Sequence, residues 1–222
     1  MVEELLKTDF IEVINAVRRG DIPQWTDTPQ VRTEDIADYT FDVDDPKENL
    51  ITIKRALGQG TASYVNGMSG IPYRLRFVCY DEYLHQFVFD DGQGHLDKSM
   101  FKQHMRMADF IVYDTSENHV WILIHELSKG KVNNKRGRGR VQLSSTVDML
   151  CRSKRIKAFI DGFANKWCVL SAYDERVLTT PKGMADAFMN AYNILPEPTK
   201  FQFGAIKRLG FCGFETSKII LE

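Results

Sequence analysis

Apolar residues follow a helical period at the start of the chain, and that period is lost soon afterwards. Residues 3–19 place leucine, isoleucine, valine and phenylalanine at helical spacing before Gly20, which predicts one amphipathic helix. Residues 21–49 are acidic and contain three prolines, which predicts an irregular segment. Residues 50–57 fit a strand or a short helix, and the glycines and polar residues of 58–70 predict a loop.

A two-residue period appears next. Aromatic or branched residues alternate with polar ones in 73–80 and 83–89, which predicts a β-hairpin that turns at Asp81 and Glu82. Beyond the hairpin, a short helix that begins at a capping aspartate is predicted for 97–107.

The most hydrophobic strand patterns lie near the middle of the chain. Residues 109–113 and 119–127 predict a strand pair joined by the polar turn 114–118, and the apolar content of this pair indicates the centre of a sheet. A helical stripe follows in 143–162, and 167–173 predicts a buried strand.

The remaining patterns complete the prediction of an α/β protein with a mixed central β-sheet flanked by helices. A further helix is predicted for 184–195, and residues 199–222 fit either two strands or a loop-rich cap. We predict two regions: residues 1–70, a helix followed by the acidic irregular extension, and residues 71–222, the α/β domain.

Composition agrees with a globular protein, but its charge is distributed unevenly. The 222 residues are 43% hydrophobic and 27% charged, with a formal net charge of −1. Residues 1–128 contain 12 Lys/Arg and 22 Asp/Glu, whereas residues 129–222 contain 17 and 8, so the halves carry −10 and +9. This asymmetry predicts a polyanionic partner near the basic half.

Cysteine spacing and hydropathy indicate the compartment. The four cysteines lie far apart and form no C-x-x-C pair, which excludes the pattern of a zinc ribbon or of a disulfide framework. No apolar run has the length of a membrane span, and the first residues lack the pattern of a signal peptide. We therefore expect a cytoplasmic protein with no membrane partner.

Positive charge is concentrated in residues 128–140, which contain six Lys/Arg, three glycines and no acid. The composition predicts a loop that contacts phosphate groups, although a solvated linker has the same composition. The six basic residues are Lys129, Lys131, Lys135, Arg136, Arg138 and Arg140. The last five are the predicted nucleic-acid-binding residues.

Two carboxylates on consecutive predicted strands are the main candidate for chemistry. Pairing across the polar turn places Asp109 opposite a residue near Ile124, so that Glu126 lies one pleat farther along on the same face. Converging carboxylates repel each other, and the usual relief is a hard divalent cation such as Mg²⁺ or Mn²⁺. The basic segment directly downstream suits a phosphodiester substrate.

This arrangement resembles the PD-(D/E)xK nuclease superfamily over about residues 71–175. The matching words are ADFIV at 108–112, IHELSK at 124–129, VQLSSTV at 141–147 and the strand WCVLSAY at 167–173. The resemblance implies a restriction-endonuclease-like core in the order αβββαβ and a metal ion held by Asp109, Glu126 and the carbonyl of Leu127. It also implies that Gln142 assists catalysis by placing substrate or the attacking water.

One position departs from this pattern. The lysine expected two residues after the glutamate is replaced by Ser128, and Lys129 comes one place later. On a regular strand Lys129 points to the face opposite Glu126, and a β-bulge before Gly130 would turn it back. Lys131 and Arg140 are alternative sources of the positive charge.

Other polar residues have simpler interpretations. His125 faces away from Glu126 on a strand, which favours a hydrogen-bonded core histidine over a metal ligand. Glu82 is the residue we name as a third carboxylate, although acids at such positions usually belong to turns.

The sequence therefore predicts a metal-dependent nuclease that hydrolyses DNA, with RNA as the less favoured substrate, and that acts as a homo-oligomer, most simply a dimer. Asp109, Glu126, Lys129 and Gln142 are its predicted catalytic residues. Ser128 favours the alternative of a catalytically inactive nuclease fold that serves as a nucleic-acid-binding or assembly module. A purely structural protein, assembled through its acidic N-terminal region, is a third reading.

Overall fold

The computed structural model describes residues 1–44, 52–54, 61–67, 71–87, 107–129, 132–173 and 198–222. The helices within these ranges are α1 (Val2–Lys7), α2 (Asp9–Val17), α3 (Tyr80–His85), α4 (Val132–Leu150), α5 (Lys154–Asp161) and α6 (Gly204–Arg208). The strands are β1 (Thr33–Ile36), β2 (Thr40–Asp44), β3 (Thr52–Lys54), β4 (Ala62–Asn66), β5 (Leu75–Cys79), β6 (Phe110–Asp114), β7 (Trp121–Lys129), β8 (Asn165–Tyr173), β9 (Thr199–Phe201), β10 (Cys212–Glu215) and β11 (Lys218–Leu221).

The strands form two sheets. The larger has the order β1-β5-β6-β7-β8-β10-β9, in which β7 pairs with β8 and β8 with β10 in parallel and the other neighbours are antiparallel. The smaller has the order β11-β4-β2-β3, with β11 parallel to β4. The protein is thus mixed α/β, with a mostly antiparallel sheet flanked by helices, and β6 to β8 occupy the middle of that sheet as predicted.

The two faces of the larger sheet are covered by different layers. Side chains alternate between faces along each strand, so neighbouring residues enter different cores. Ile111, Ile124 and Leu170 pack with the helices, whereas Val112 and Leu123 pack with the smaller sheet. Helices therefore cover one face and the four-stranded sheet covers the other, and this second sheet was not predicted from the sequence.

The N-terminal region differs from its prediction in three places. The single helix predicted for 3–19 is two helices, separated at Thr8, whose hydroxyl donates to the carbonyl of Glu4 at 2.9 Å. The segment predicted to be irregular contains β1 and β2, and the predicted loop 58–70 contains β4. β1 pairs with β5 and β4 with β11, so strands before residue 70 pair with strands beyond it in both sheets.

The predicted hairpin is wrong in its second half. β5 confirms the first strand, but the chain then enters α3 instead of turning back. Tyr80, Tyr83, Leu84 and Phe87 are buried at positions i, i+3, i+4 and i+7, which is the spacing of one helical face. Aromatic and polar residues also alternate in this short stretch, so its sequence fits a strand as well as a helix.

The basic segment 128–140 is not a continuous loop, because β7 extends to Lys129 and α4 begins at Val132. The helical stripe predicted for 143–162 is confirmed but divided, since Ser153 caps α5 by accepting from the Ile156 N–H at 3.2 Å. Although α4 is 19 residues long, it is rich in polar residues, and no helix in the described ranges is long and apolar enough to cross a membrane.

Two further predictions concern the later part of the chain. The tail combines strands β9, β10 and β11 with the short helix α6, so it is more regular than either alternative predicted for it. The helices predicted for 97–107 and 184–195 lie outside the described residues, except for Met107.

Candidate metal centre

Asp109 and Glu126 occupy opposing positions at one end of the β6–β7 ladder. The register pairs Ile111 with Ile124 and Phe110 with His125. Asp109 directly precedes β6, and Glu126 follows His125 on β7, so continuing this register by one residue places the two acids opposite each other. By the same register, the predicted pairing of Asp109 with a residue near Ile124 is wrong by one pleat. Because the side-chain period of a strand is two, Asp109 shares the face of Ile111 and Glu126 that of Ile124.

This pair concentrates negative charge in a partly buried place. Glu126 is 6% exposed, Asp109 is half-buried, and Oδ2 of Asp109 accepts a hydrogen bond from the Leu127 N–H at 2.5 Å. Like charges directly opposite each other on neighbouring strands are destabilising. A cation between them would offset this repulsion, and carboxylate oxygens are ligands that hard divalent cations prefer.

Helix α4 lies against the sheet directly at Glu126. Leu170 is the β8 neighbour of Glu126 in the parallel register. A Cβ atom added at Gly139 would lie 2.5 Å from Cδ1 of Leu170 and 3.4 Å from Cγ of Glu126. The glycine therefore allows the close approach of helix and sheet, and the basic sequence around it has a packing function that was not predicted.

Two side chains of α4 contact the chain just before Asp109. Nε2 of Gln142 donates to the carbonyl of Met107 at 2.8 Å, and the N–H of Ala108 donates to Oγ1 of Thr146 at 2.9 Å. Gln142 thus lies near the candidate centre, with its amide engaged by main chain. Thr146 was missed, although its position one helical turn after Gln142 is a signal that sequence reasoning could have used.

The position at which the PD-(D/E)xK pattern has its lysine lies on a regular part of β7. The β7–β8 register continues through Ser128 with Ala172 and Lys129 with Tyr173, so β7 contains no bulge up to Lys129. Ser128 is consequently the residue two places after Glu126 on the same face. The side chain of Lys129 lies outside what the structure describes.

The predicted phosphate-binding residues fall in different places. Lys131 lies outside the described residues, and Lys135 and Arg136 lie on α4 with side chains that are not described. Arg138 is exposed two residues farther along the same helix. Four of the predicted residues, 135, 136, 138 and 140, are therefore positions of a helix and not of a loop.

Arg140 has partners within the protein. One of its terminal nitrogens lies 2.8 Å from Oε2 of Glu215, and its guanidinium lies over the ring of Phe201 at 5.1 Å. Glu215 pairs with Leu170 in the register of β8 and β10, so it follows Glu126 in the same row across the sheet, with Leu170 between them. Within the described ranges, no group of three His, Cys, Asp or Glu residues could hold a metal ion.

Glu82, the suggested third carboxylate, is on α3 and forms an ion pair with Arg32 at 3.0 Å. The start of α3 nevertheless touches the centre through its main chain. The N–H of Tyr80 donates to the carbonyl of Asp109 at 2.9 Å, and that of Asp81 donates to the same oxygen at 3.3 Å.

His125 is confirmed as a hydrogen-bonded core residue. Its Nδ1 lies 2.8 Å from the hydroxyl of Tyr64, and its Nε2 lies 2.9 Å from that of Ser171. The Ser171 hydroxyl donates its single proton to the carbonyl of Thr216 at 2.7 Å, so it must accept from Nε2. Burial lowers the pKa of His125 to about 3, so the ring is neutral and Nδ1 accepts from Tyr64.

The structure thus presents a mixed α/β protein in which the central β6–β7 ladder ends at two carboxylates, and helix α4 packs against one of them at Gly139. Comparisons of the chain with protein-family models, with curated proteins and with solved structures found no match. The chemistry of Asp109 and Glu126 is the basis for the functional inference.

Proposed function

We propose that this protein hydrolyses phosphodiester bonds of DNA with a divalent metal ion, Mg²⁺ or Mn²⁺, held by Asp109 and Glu126. The observation that carries the proposal is the opposition of these two carboxylates at the end of the central β6–β7 ladder, with Glu126 almost wholly buried. Burying one carboxylate opposite another is energetically unfavourable, and the binding of a metal ion would offset that cost.

The donor set fits such an ion. Mg²⁺ is usually bound through one or two carboxylates, and water and substrate phosphate complete its coordination. The carbonyl of Leu127 is the further ligand implied by the resemblance to PD-(D/E)xK nucleases, and the Leu127 N–H bond to Asp109 keeps this residue beside both acids. A bound ion would supply a water of lowered pKa and electrophilic stabilisation of the phosphate.

The remaining roles belong to residues around the pair. The exposed Arg138 and its neighbours Lys135 and Arg136 supply positive charge for the DNA backbone, and Lys131 belongs to the same proposed set. Lys131, rather than Lys129, is proposed to lie near the attacking water, because position 129 of the regular strand β7 is on the face opposite Glu126. Arg140 contributes by charge rather than by direct contact, because Glu215 engages it.

A second function is favoured by one specific observation. Ser128 occupies the position that shares a face with Glu126, and β7 has no bulge that would bring Lys129 there. A chain with the acids but without a lysine at that position suits a nucleic-acid-binding or assembly module that has lost catalysis. In both proposals the partner is DNA rather than RNA, and the protein acts in the cytoplasm as a homodimer.

A plasmid-nicking assay separates these functions. The full chain is incubated with supercoiled DNA in Mg²⁺ and in Mn²⁺, beside Asp109→Asn and Glu126→Gln, which remove charge but keep the shape of the side chains. Glu117→Gln is the matched control, because it removes an exposed carboxylate from the connection between β6 and β7. We expect nicking by the unaltered chain and by the control, and a loss of about 100-fold or more in both site variants.

Other results of the assay contradict the proposal in different ways. Nicking retained by both Asp109→Asn and Glu126→Gln would show that the reaction takes place elsewhere. Salt-sensitive DNA binding without nicking would support the inactive module. Unchanged DNA affinity and unchanged salt dependence after neutralisation of Lys135, Arg136 and Arg138 would remove the polyanion and favour a purely structural protein.

A further inference from the structure

Two side chains on one face of α4 hydrogen-bond to a single peptide group. Gln142 donates to the carbonyl oxygen of Met107, and Thr146 accepts from the N–H of Ala108. That oxygen and that N–H belong to the same peptide unit, and Gln142 and Thr146 are four residues apart, so one turn of helix satisfies both of its polar groups. Ala108 is fully buried and Thr146 is 1% exposed, so water does not compete for the bond to the hydroxyl.

The main chain is also fixed on the other side of Asp109. The carbonyl of Asp109 accepts from Tyr80 and from Asp81 at the start of α3. One helix therefore holds the 107–108 peptide group, which precedes Ala108, and another holds the carbonyl of Asp109. The backbone that carries this carboxylate is restrained by contacts with both helices, in addition to its own strand pairing.

We infer that Gln142 and Thr146 are positioning residues for a divalent cation at Asp109 and Glu126. They hold the 107–108 peptide so that the Asp109 carboxylate faces Glu126 before the ion arrives. This inference rests on the proposed function, because the ion is the one proposed there. It assigns Gln142 a role through Asp109, rather than on the substrate or the attacking water.

The physical reason is the narrow geometry of the ion. Mg²⁺ requires nearly ideal octahedral coordination at short distances, so a small displacement of one carboxylate weakens binding. Residues that orient metal ligands from behind typically change metal affinity by 10–100-fold when they are removed. Each of the two α4 contacts is expected to contribute an effect of this kind.

The variants separate positioning from simple structural support. Thr146→Val keeps the shape of the side chain and removes the acceptor, Thr146→Ser restores the hydroxyl, and Gln142→Met removes the amide donor at similar length. The matched control is Ser144→Ala on the same helix. The Ser144 hydroxyl accepts from the N–H of Ala205 at the start of α6 at 3.2 Å, which is the same kind of bond to a different segment.

The measurements are the Mn²⁺ affinity of the full chain, by calorimetric titration, and the rise in Tm that Mn²⁺ produces. We expect Thr146→Val and Gln142→Met to weaken Mn²⁺ binding about 10- to 100-fold and to reduce the metal-induced rise in Tm. Thr146→Ser and Ser144→Ala should bind within about threefold of the unaltered chain. A purely structural role would lower Tm equally with and without Mn²⁺.

The outcomes distinguish this inference from the proposed function. If the unaltered chain binds Mn²⁺ and Asp109→Asn does not, while Thr146→Val and Gln142→Met bind within about twofold of it, the positioning role is wrong and the metal site stands. Gln142→Met decides the matter alone if Thr146→Val does not fold. If the unaltered chain binds no Mn²⁺, or Asp109→Asn binds it equally well, the proposed function fails and the positioning role fails with it.

Discussion

His125 and Glu126 are consecutive residues of β7, yet their surroundings on the two faces of the sheet are opposite in character. His125 lies between the two sheets, where Tyr64 and Ser171 take up both of its ring nitrogens. Glu126 lies beneath α4 and faces a second carboxylate across the ladder. His125 is neutral and hydrogen-bonded through both ring nitrogens, whereas Glu126 is an acid that lies across from a second acid, Asp109.

The contrast separates a buried polar residue with a structural role, His125, from a candidate functional residue, Glu126. The neutral His125 links β7 to the smaller sheet through its hydrogen bond with Tyr64. Through Ser171 it is also connected to Thr216, which lies between β10 and β11. It requires nothing from outside the chain. The pair of acids on the other face is the candidate metal centre, where a cation would offset the repulsion between the two carboxylates.

The largest expected change in stability follows from replacing His125. His125→Ala should lower the free energy of unfolding by about 3–5 kcal/mol, since it leaves a cavity and two buried hydroxyls that lose a partner. Tyr64→Phe, which removes only one hydroxyl, should cost about 1–3 kcal/mol. Urea denaturation followed by circular dichroism measures both. A loss below about 1 kcal/mol for His125→Ala would show that these bonds do not hold the two sheets together.

The next prediction uses pH. Burial lowers the pKa of His125 from 6.5 to about 3, so the unfolded chain binds this proton more readily than the folded one. The stabilisation is complete above about pH 6.5 and is lost as the pH falls toward the folded-state pKa, by about 1.4 kcal/mol per pH unit. At pH 4.5 the accumulated loss is about 2.7 kcal/mol.

The comparison with His125→Gln isolates this residue. Both chains contain the same other titratable groups, so their contributions cancel in the difference between the two stability profiles. Urea midpoints at pH 7, 5.5 and 4.5 should fall more steeply for the unaltered chain than for the variant. Parallel profiles would mean that His125 is not held neutral by its surroundings.

How far the sequence predicted this molecule depends on the range of the contacts. The long apolar run of β7 and the adjacent β6 and β8 were predicted, because their hydrophobicity reflects burial on both faces. The smaller sheet was missed because its strands are short and because β4 pairs with β11 near the other end of the chain. Short strands carry little periodicity, and long-range pairing has no local signal.

The same limit applies to the individual residues of the candidate site. The residue types and their shared face followed from strand periodicity, and His125 was correctly placed on the other face. The register was wrong by one pleat, because β6 extends to Asp114 and β7 begins only at Trp121, a connection that the polar turn residues did not define. Helical spacing could have placed Thr146 on the face of Gln142, but its contact with Ala108 depends on how α4 lies on the sheet.

A smaller effect tests how closely α4 approaches Glu126. Gly139→Ala should lower the free energy of unfolding by about 1–2 kcal/mol, because the new Cβ would meet the fully buried Leu170 at 2.5 Å. The steric cost of the new Cβ is expected to exceed the gain of about 1 kcal/mol that replacing glycine by alanine brings to a helix, so the net change is a loss. Chemical denaturation measures it, and a more stable variant would contradict the close packing of helix and sheet above the acids.

The smallest effect comes from the glycine two residues earlier, which faces solvent instead of the sheet. Gly137 is exposed, and a Cβ added there has no atom within 4 Å. Because Gly137 lies inside α4, Gly137→Ala should raise the free energy of unfolding by about 0.5–1 kcal/mol. The same denaturation experiment compares it with Gly139→Ala, and the opposite signs of the two changes would orient α4 on the sheet. A loss of stability in Gly137→Ala would contradict the position of this residue on the solvent-facing side of α4.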